Sequence, residues 1–204
     1  MNIKAVVFDY GQVICFPQDP KLLGSFARRI GVDREKFESL VWTLREGYDR
    51  GTLTSREYYK EILSRLGVSM DDKSIDEMAE KDLDSWKNIN GGTVSIMEDV
   101  KKSGYILGIL SNMPHDFLVW ARENVPVFSL ASVSLFSCEV GLVKPEEAIY
   151  RKLLSLLGLD GNEVVFFDDN ADNVKIAKSL GIEAFLWESP ESARRVLSSL
   201  GVKL

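Results

Sequence analysis

The chain has 204 residues, 45% of them hydrophobic, which is enough for one good-sized domain or a core with a smaller insert and too apolar for disorder. Its formal net charge of -6 argues against a nucleic-acid partner, and no apolar stretch is long enough to span a bilayer. Met1-Asn2-Ile3-Lys4 lacks a signal-peptide layout, and two cysteines (Cys15 and Cys138) are too few for a disulfide framework or zinc site, so a cytoplasmic protein with free thiols and no membrane partner is expected.

In chain order, the apolar run Ile3–Phe8 reads as a strand that stops at Asp9. From about Phe16 to Asn90 the pattern is helical and strand-poor. Asp33 precedes a helix running toward Glu46. Thr54-Ser55-Arg56-Glu57 is a capping box whose helix carries Tyr58, Ile62, Leu63 and Leu66 on one face and stops at Gly67. A polar helix follows over Asp72–Trp86, and Gly91-Gly92 breaks the pattern. Beyond it strands and helices alternate. Helix Val94–Lys102 leads to strand Tyr105–Leu110, and helix Pro114–Glu123 leads to a short strand at Val133–Phe136. Helix Pro145–Leu157 leads to strand Val164–Phe167, helix Ala171–Leu180 to strand Ala184–Leu186, and Glu191–Leu200 is the last helix. Such alternation implies an α/β fold, a doubly wound, Rossmann-like parallel sheet covered on both faces. Residues 1–15 and 91–204 would form this core, and 16–90 a helical cap over its carboxyl edge.

Chemistry is expected at the strand ends, because open α/β sheets bind ligands in the crevice outside them. Two strands end in acids, one in Asp9 and the other in Asp168-Asp169. Each Asp alone can simply cap a turn. Together they can gather carboxylates around a hard cation such as Mg2+. A third strand ends in Ser111-Asn112, which can hold an anion beside a helix start or cap the helix at Pro114. Lys144-Pro145 also precedes a helix. A lysine there is ordinarily solvated, yet this one can reach into the crevice.

In order along the chain, Phe8-Asp9-Tyr10-Gly11-Gln12-Val13, Leu110-Ser111-Asn112, Lys144-Pro145 and Phe167-Asp168-Asp169-Asn170-Ala171-Asp172-Asn173 resemble the four motifs of the haloacid dehalogenase-like hydrolases. The resemblance covers the whole chain, cap included, and is closest to the phosphatases acting on α-D-glucose 1-phosphate. It implies a Mg2+-dependent phosphatase for a small phosphorylated metabolite of the sugar phosphate class. Asp9 would be the nucleophile that forms an aspartyl-phosphate. Asp9, Asp169 and the Gly11 carbonyl would hold Mg2+, while Ser111, the Asn112 N–H and Lys144 would bind the phosphate. Asp168 and Asn173 would orient Lys144 and the metal's waters.

One position departs from the common pattern of this superfamily. Where many members carry an acid two residues after the nucleophile, this chain has Gly11. The glucose 1-phosphate phosphatases share this glycine, and an anomeric oxygen leaves with less help than an ordinary alcohol. His115, the only histidine, is one candidate for the missing proton donor and otherwise an ordinary first-turn residue. Two other readings stay open. One is a haloacid dehalogenase, a class that needs no metal and lacks the paired acids. The other is a non-catalytic member of the fold. In the cap, Trp42, Tyr48 and Arg50 can meet a sugar or pack between helices, and packing is the expectation for Trp42. Oligomeric state is not legible.

Overall fold

The computed structural model describes residues 2–204. Five strands, β1 (Ala5–Phe8), β2 (Ile106–Ser111), β3 (Val133–Phe136), β4 (Val164–Asp168) and β5 (Glu183–Leu186), form one parallel sheet in the order β3-β2-β1-β4-β5. The chain winds outward from β1 on one side and then restarts at β4 on the other. The β1/β4 junction is therefore the switch point at which ligands bind in such sheets.

Eleven helices accompany the strands: α1 (Leu22–Ile30), α2 (Arg34–Asp49), α3 (Ser55–Arg65), α4 (Asp72–Ser85), α5 (Gly91–Lys102), α6 (His115–Asn124), α7 (Val127–Leu130), α8 (Ser137–Val140), α9 (Glu147–Leu157), α10 (Ala171–Ser179) and α11 (Pro190–Ser199). The two-residue period of a strand divides β1 between two cores. Val6 and Phe8 pack with Ile96 and Met97 of α5, Phe117 of α6 and Leu197 of α11. Ala5 and Val7 pack with Ile149 and Leu153 of α9 and Ala177 of α10. Helices thus cover both faces, as the alternating pattern implied.

A third core lies wholly within α1–α4, where Phe26, Phe37, Val41, Tyr58, Ile62 and Met78 are buried together. This is the cap. Its entry and exit are zipped to each other, with Phe16 N–H donating to Asn88 O at 2.8 Å and Asn90 N–H to Ile14 O at 2.9 Å. The capping box forms as read, with Thr54 and Glu57 satisfying each other's backbone donors.

Two expectations are corrected here. Gly91-Gly92 does not break the pattern but opens α5, because the Asn90 side chain accepts from Gly92 and Thr93 N–H. First-turn residues have no intrahelical bond for their N–H groups, so flexibility there matters less than the cap. Gly92 is also sterically required, since a Cβ would lie 2.8 Å from Pro190 Cγ of α11. In the cap, α2 continues past Glu46 to Asp49.

Candidate active site

The buried run Val164–Phe167 carries Asp168 to the end of β4, directly beside the end of β1. Asp9 N–H donates to Phe167 O at 2.9 Å, so the ladder itself fixes Asp9 against the acidic pair. One oxygen from each of Asp9, Asp168 and Asp169 lies within 4.8 Å of the others.

Lys144 enters this cluster from the loop before α9. It is buried, and its ammonium meets Asp168 Oδ2 at 2.6 Å, Asp9 Oδ1 at 2.8 Å and Leu110 O at 3.2 Å. Three acceptors use all three donors of the group. Burial works to lower the lysine's pKa, but Asp168 and Asp9 outweigh it and hold the ammonium above its ordinary range. Left unpaired, a buried ammonium would lose its proton instead. The reading of Lys144 as a solvated surface charge is therefore ruled out.

The carboxylates differ in their surroundings. Asp168 is fully satisfied, since its Oδ1 accepts from Asn170 N–H at 2.8 Å and Asn173 Nδ2 at 2.9 Å while Oδ2 holds Lys144. Asp9 Oδ1 accepts from Tyr10 N–H at 2.7 Å as well as from Lys144, whereas its Oδ2 accepts no hydrogen bond among the described residues. Burial pushes the Asp9 carboxyl up to about 7; Lys144 pulls against this and the charges of Asp168 and Asp169 add to it. Asp169 is raised as well, by burial and then by Asp168. With three formal negative charges and one positive, the cluster is short of a cation.

Of the second motif, Ser111 is buried at the end of β2. Asn112 does not cap α6, and neither does Ser111, for that helix starts at Pro114 without a side-chain cap. Instead the Asn112 carboxamide grips the backbone of Lys144.

Gly11 follows Asp9 in a wide turn, Tyr10–Ile14. Its φ of -61° and ψ of 127° suit any residue, and a Cβ would sit 3.8 Å from Trp86, at ordinary contact. Neither backbone conformation nor steric contact demands glycine here. The unusual backbone belongs to the next residue. Gln12 has a φ of 57°, and its Nε2 donates to Asp169 Oδ2 at 2.6 Å. No composition or periodicity signal marks such a residue.

Asp9, Gly11, Gln12, Asn112 and Asp169 line the core side of a cavity of about 140 Å3 between core and cap. Trp42, Arg45, Asp49, Leu83 and Trp86 line it from the cap. Trp42 is 53% exposed at this opening and not packed between helices, which corrects that expectation. Tyr48 is buried, stacked on Tyr58 with centroids 4.7 Å apart. Arg50 turns away to bridge cap and core, donating to Glu146 Oε1 at 2.9 Å and Gly141 O at 2.8 Å. His115 is exposed on the first turn of α6 and is not among the residues that line the cavity. Sequence reading missed Arg45 and Asp49. Their spacing of four was visible, but a helix ending at Glu46 hides Asp49.

With this geometry in hand, the chain's relatives can be placed. Residues 3–181 match the family model of the haloacid dehalogenase-like hydrolases, and the chain belongs to that family. It is 28% identical to a phosphatase of Mycobacterium tuberculosis over 100% of this chain and 98% of that one. It is 24% identical to the D-ribitol-5-phosphate phosphatase of Bacteroides thetaiotaomicron over 96% of this chain and 97% of that one. Among solved structures, a family enzyme from Bacteroides thetaiotaomicron in complex with magnesium and inorganic phosphate superimposes with a TM-score of 0.71 at 23% identity, covering 91% and 94% of the two chains. At such identity the likeness establishes the fold. No described helix is long and apolar enough to cross a membrane.

Proposed function

We propose that the protein is a Mg2+-dependent phosphatase that hydrolyses a small sugar or alditol phosphate through an aspartyl-phosphate on Asp9. The observation that carries this reading is the Asp9–Asp168–Asp169 cluster, closed around Lys144 at the floor of the cavity. The donor set suits Mg2+, a hard ion that prefers oxygen ligands, and its net negative charge leaves room for a divalent cation. Asp9, Asp169 and the Gly11 carbonyl would hold the ion. Bound there, it would neutralise charge on the nucleophile and on the phosphate.

The residues divide the remaining work. Phosphoryl transfer asks for positioning and charge neutralisation. Asp9 Oδ2, free of protein partners, attacks phosphorus as the ester P–O bond breaks and the leaving oxygen takes up a proton. Water then attacks the same phosphorus and gives up a proton to solvent, which balances the one taken up by the leaving oxygen, the bond to Asp9 breaks, and phosphate departs. Without a compensating cation, an anionic nucleophile about 4 Å from an anionic phosphate faces about 4 kcal/mol per pair of unit charges at an effective dielectric of 20. Lys144 lowers that cost from beneath Asp9. Its donors are already shared among two carboxylates and Leu110 O, so its first task is to hold Asp9, and it meets phosphate only by exchanging a partner. Ser111 and the Asn112 N–H would receive the phosphate oxygens, and Asp168 with Asn173 keeps Lys144 in place.

Two relatives support a phosphorylated substrate, one a phosphatase and one a D-ribitol-5-phosphate phosphatase. The structural likeness extends also to an L-2-haloacid dehalogenase, with a TM-score of 0.65 and 20% identity, so fold alone does not choose between the reactions. The acidic pair favours the phosphatase. The deciding experiment is a screen of phosphorylated metabolites with and without Mg2+, including anomeric 1-phosphates as the finest form of the reading. Phosphate release that requires Mg2+ is expected. Halide release from 2-haloacids in EDTA, without phosphate release, would overturn the proposal.

A further inference from the structure

The cap side of the cavity carries its own polar pair, in the last turns of α2. Arg45 and Asp49 both line it. Arg45 Nε donates to Asp49 Oδ1 at 2.9 Å, and its terminal nitrogen stands 3.6 Å from Asp82 Oδ2. The guanidinium carbon lies 5.3 Å from the Tyr48 ring centroid and 5.7 Å from that of Trp86. Arginine keeps its charge when buried, and stacking on rings suits it. Asp49 Oδ2 accepts no hydrogen bond among the described residues. The pair therefore offers adjacent donors and an acceptor to the cavity, beside the flat faces of Trp42 and Trp86.

This side is held firmly to the core. Ser137 Oγ donates to Asp49 O at 2.5 Å and accepts from Met113 N–H at 2.9 Å, in the loop that follows Ser111-Asn112. One residue on, Arg50 is clamped by Glu146 and Gly141 O. Asp49 and the phosphate side of the cavity are thus fixed relative to each other by the fold.

We propose that Arg45, Asp49 and Trp42 form the leaving-group subsite, which reads the hydroxyls of a neutral polyol carrying a single phosphate and turns away leaving groups with a second anion. This rests on the phosphatase reading above and adds the substrate's charge class. A hydroxyl both donates and accepts, so neighbouring hydroxyls match an Arg N–H beside a carboxylate oxygen. The C–H face of a polyol packs on Trp42. A second phosphate or a carboxylate meets Asp49 instead, and Arg45 cannot compensate because its one charge already faces two carboxylates, Asp49 and Asp82. Desolvated like charges are a strong device for rejecting the wrong partner.

The test compares kcat/KM, with Mg2+ present, for pentitol and hexose monophosphates against the matching bisphosphates and phosphoglycerate. Wild type is expected to favour the monophosphates of neutral polyols by about tenfold or more. Asp49→Asn keeps the shape and removes the charge, so this preference shrinks by about fivefold or more. Trp42→Ala, at an exposed position, raises KM for the monophosphates by about tenfold while the inhibition constant of inorganic phosphate holds. Should Asp49→Asn fail to fold, Trp42→Ala decides. Equal rates on mono- and bisphosphates, or an unchanged KM in Trp42→Ala, overturn the subsite while leaving the phosphatase intact. No phosphate release from p-nitrophenyl phosphate by wild type would instead overturn the underlying reading.

Discussion

Asn112 holds Lys144 at both backbone positions, its Oδ1 accepting from the Lys144 N–H at 2.8 Å and its Nδ2 donating to the Lys144 carbonyl at 2.9 Å. The second motif thereby fixes the third, and the lysine's ammonium inherits that placement. Asn112→Ala removes both bonds, each worth roughly 1 kcal/mol in typical cases, so the loop loosens and kcat is expected to fall by about 10- to 100-fold. The fall should appear in kcat more than in KM, because Lys144 contacts Asp9, the proposed nucleophile. Steady-state kinetics on one substrate measures both, and an unchanged kcat would remove Asn112 from the account of Lys144.

The metal prediction rests on Asp169, whose Oδ2 is held by Gln12 at the cavity floor. Asp169→Ala should abolish Mg2+ binding in a calorimetric titration and abolish turnover while the circular dichroism spectrum stays unchanged. In wild type, EDTA should stop turnover and added Mg2+ should restore it. Full activity in EDTA would remove the metal from the mechanism and promote the dehalogenase reading.

Asp9 yields a prediction in two parts. Asp9→Asn removes the charge of the proposed nucleophile, so turnover should fall by several orders of magnitude, and near-normal rates would favour direct attack by water. The second part concerns stability without metal. Folding raises the Asp9 pKa from an ordinary 3.8 to about 7, chiefly through burial. The folded state therefore binds this proton more tightly than the unfolded chain does. Ionised Asp9 begins to cost stability as pH rises above the unfolded value, and the cost is complete above the folded one. Metal-free protein in EDTA should accordingly lose stability between about pH 4 and pH 7, and this loss should be smaller in Asp9→Asn. Thermal melts across that range check it, and an identical pH dependence in the two proteins would contradict it.

The core was legible because its signals are local. Apolar runs, glycine stops and the capping box at Thr54 each state their element, and acids at the ends of two strands state where they point. Bringing Asp9 to Asp168 needed only the rule that β1 and β4 meet at the switch point. What escaped depends on tertiary context. Gly91 opens a helix because Asn90 caps it. Trp42 stays exposed because a cavity, not another helix, faces it. Arg45 and Asp49 reach the cavity because α2 runs past Glu46 and is tied down at Ser137. The positive φ of Gln12 has no sequence signature at all.

The last prediction concerns proton supply to the leaving group. Gly11 stands where many family members carry an acid, and the sequence offers His115, its only histidine, as one candidate replacement. In the structure His115 is exposed at the start of α6, apart from the residues that line the cavity. The rate should therefore depend steeply on the leaving group's acidity, and the slope should be the same in wild type and His115→Ala. Aryl phosphates and sugar 1-phosphates should turn over faster than 6-phosphates of the same sugars. Gly11→Asp is sterically open, with ordinary backbone angles and a Cβ contact of 3.8 Å to Trp86, so it should fold. General acid catalysis contributes about 10²- to 10⁴-fold, so any gain from Gly11→Asp should appear on the poorest leaving groups and flatten the series. A slope that is flat in wild type and steep in His115→Ala would make His115 the acid after all. A slope flat in both would require another donor, and the account of Gly11 would fall.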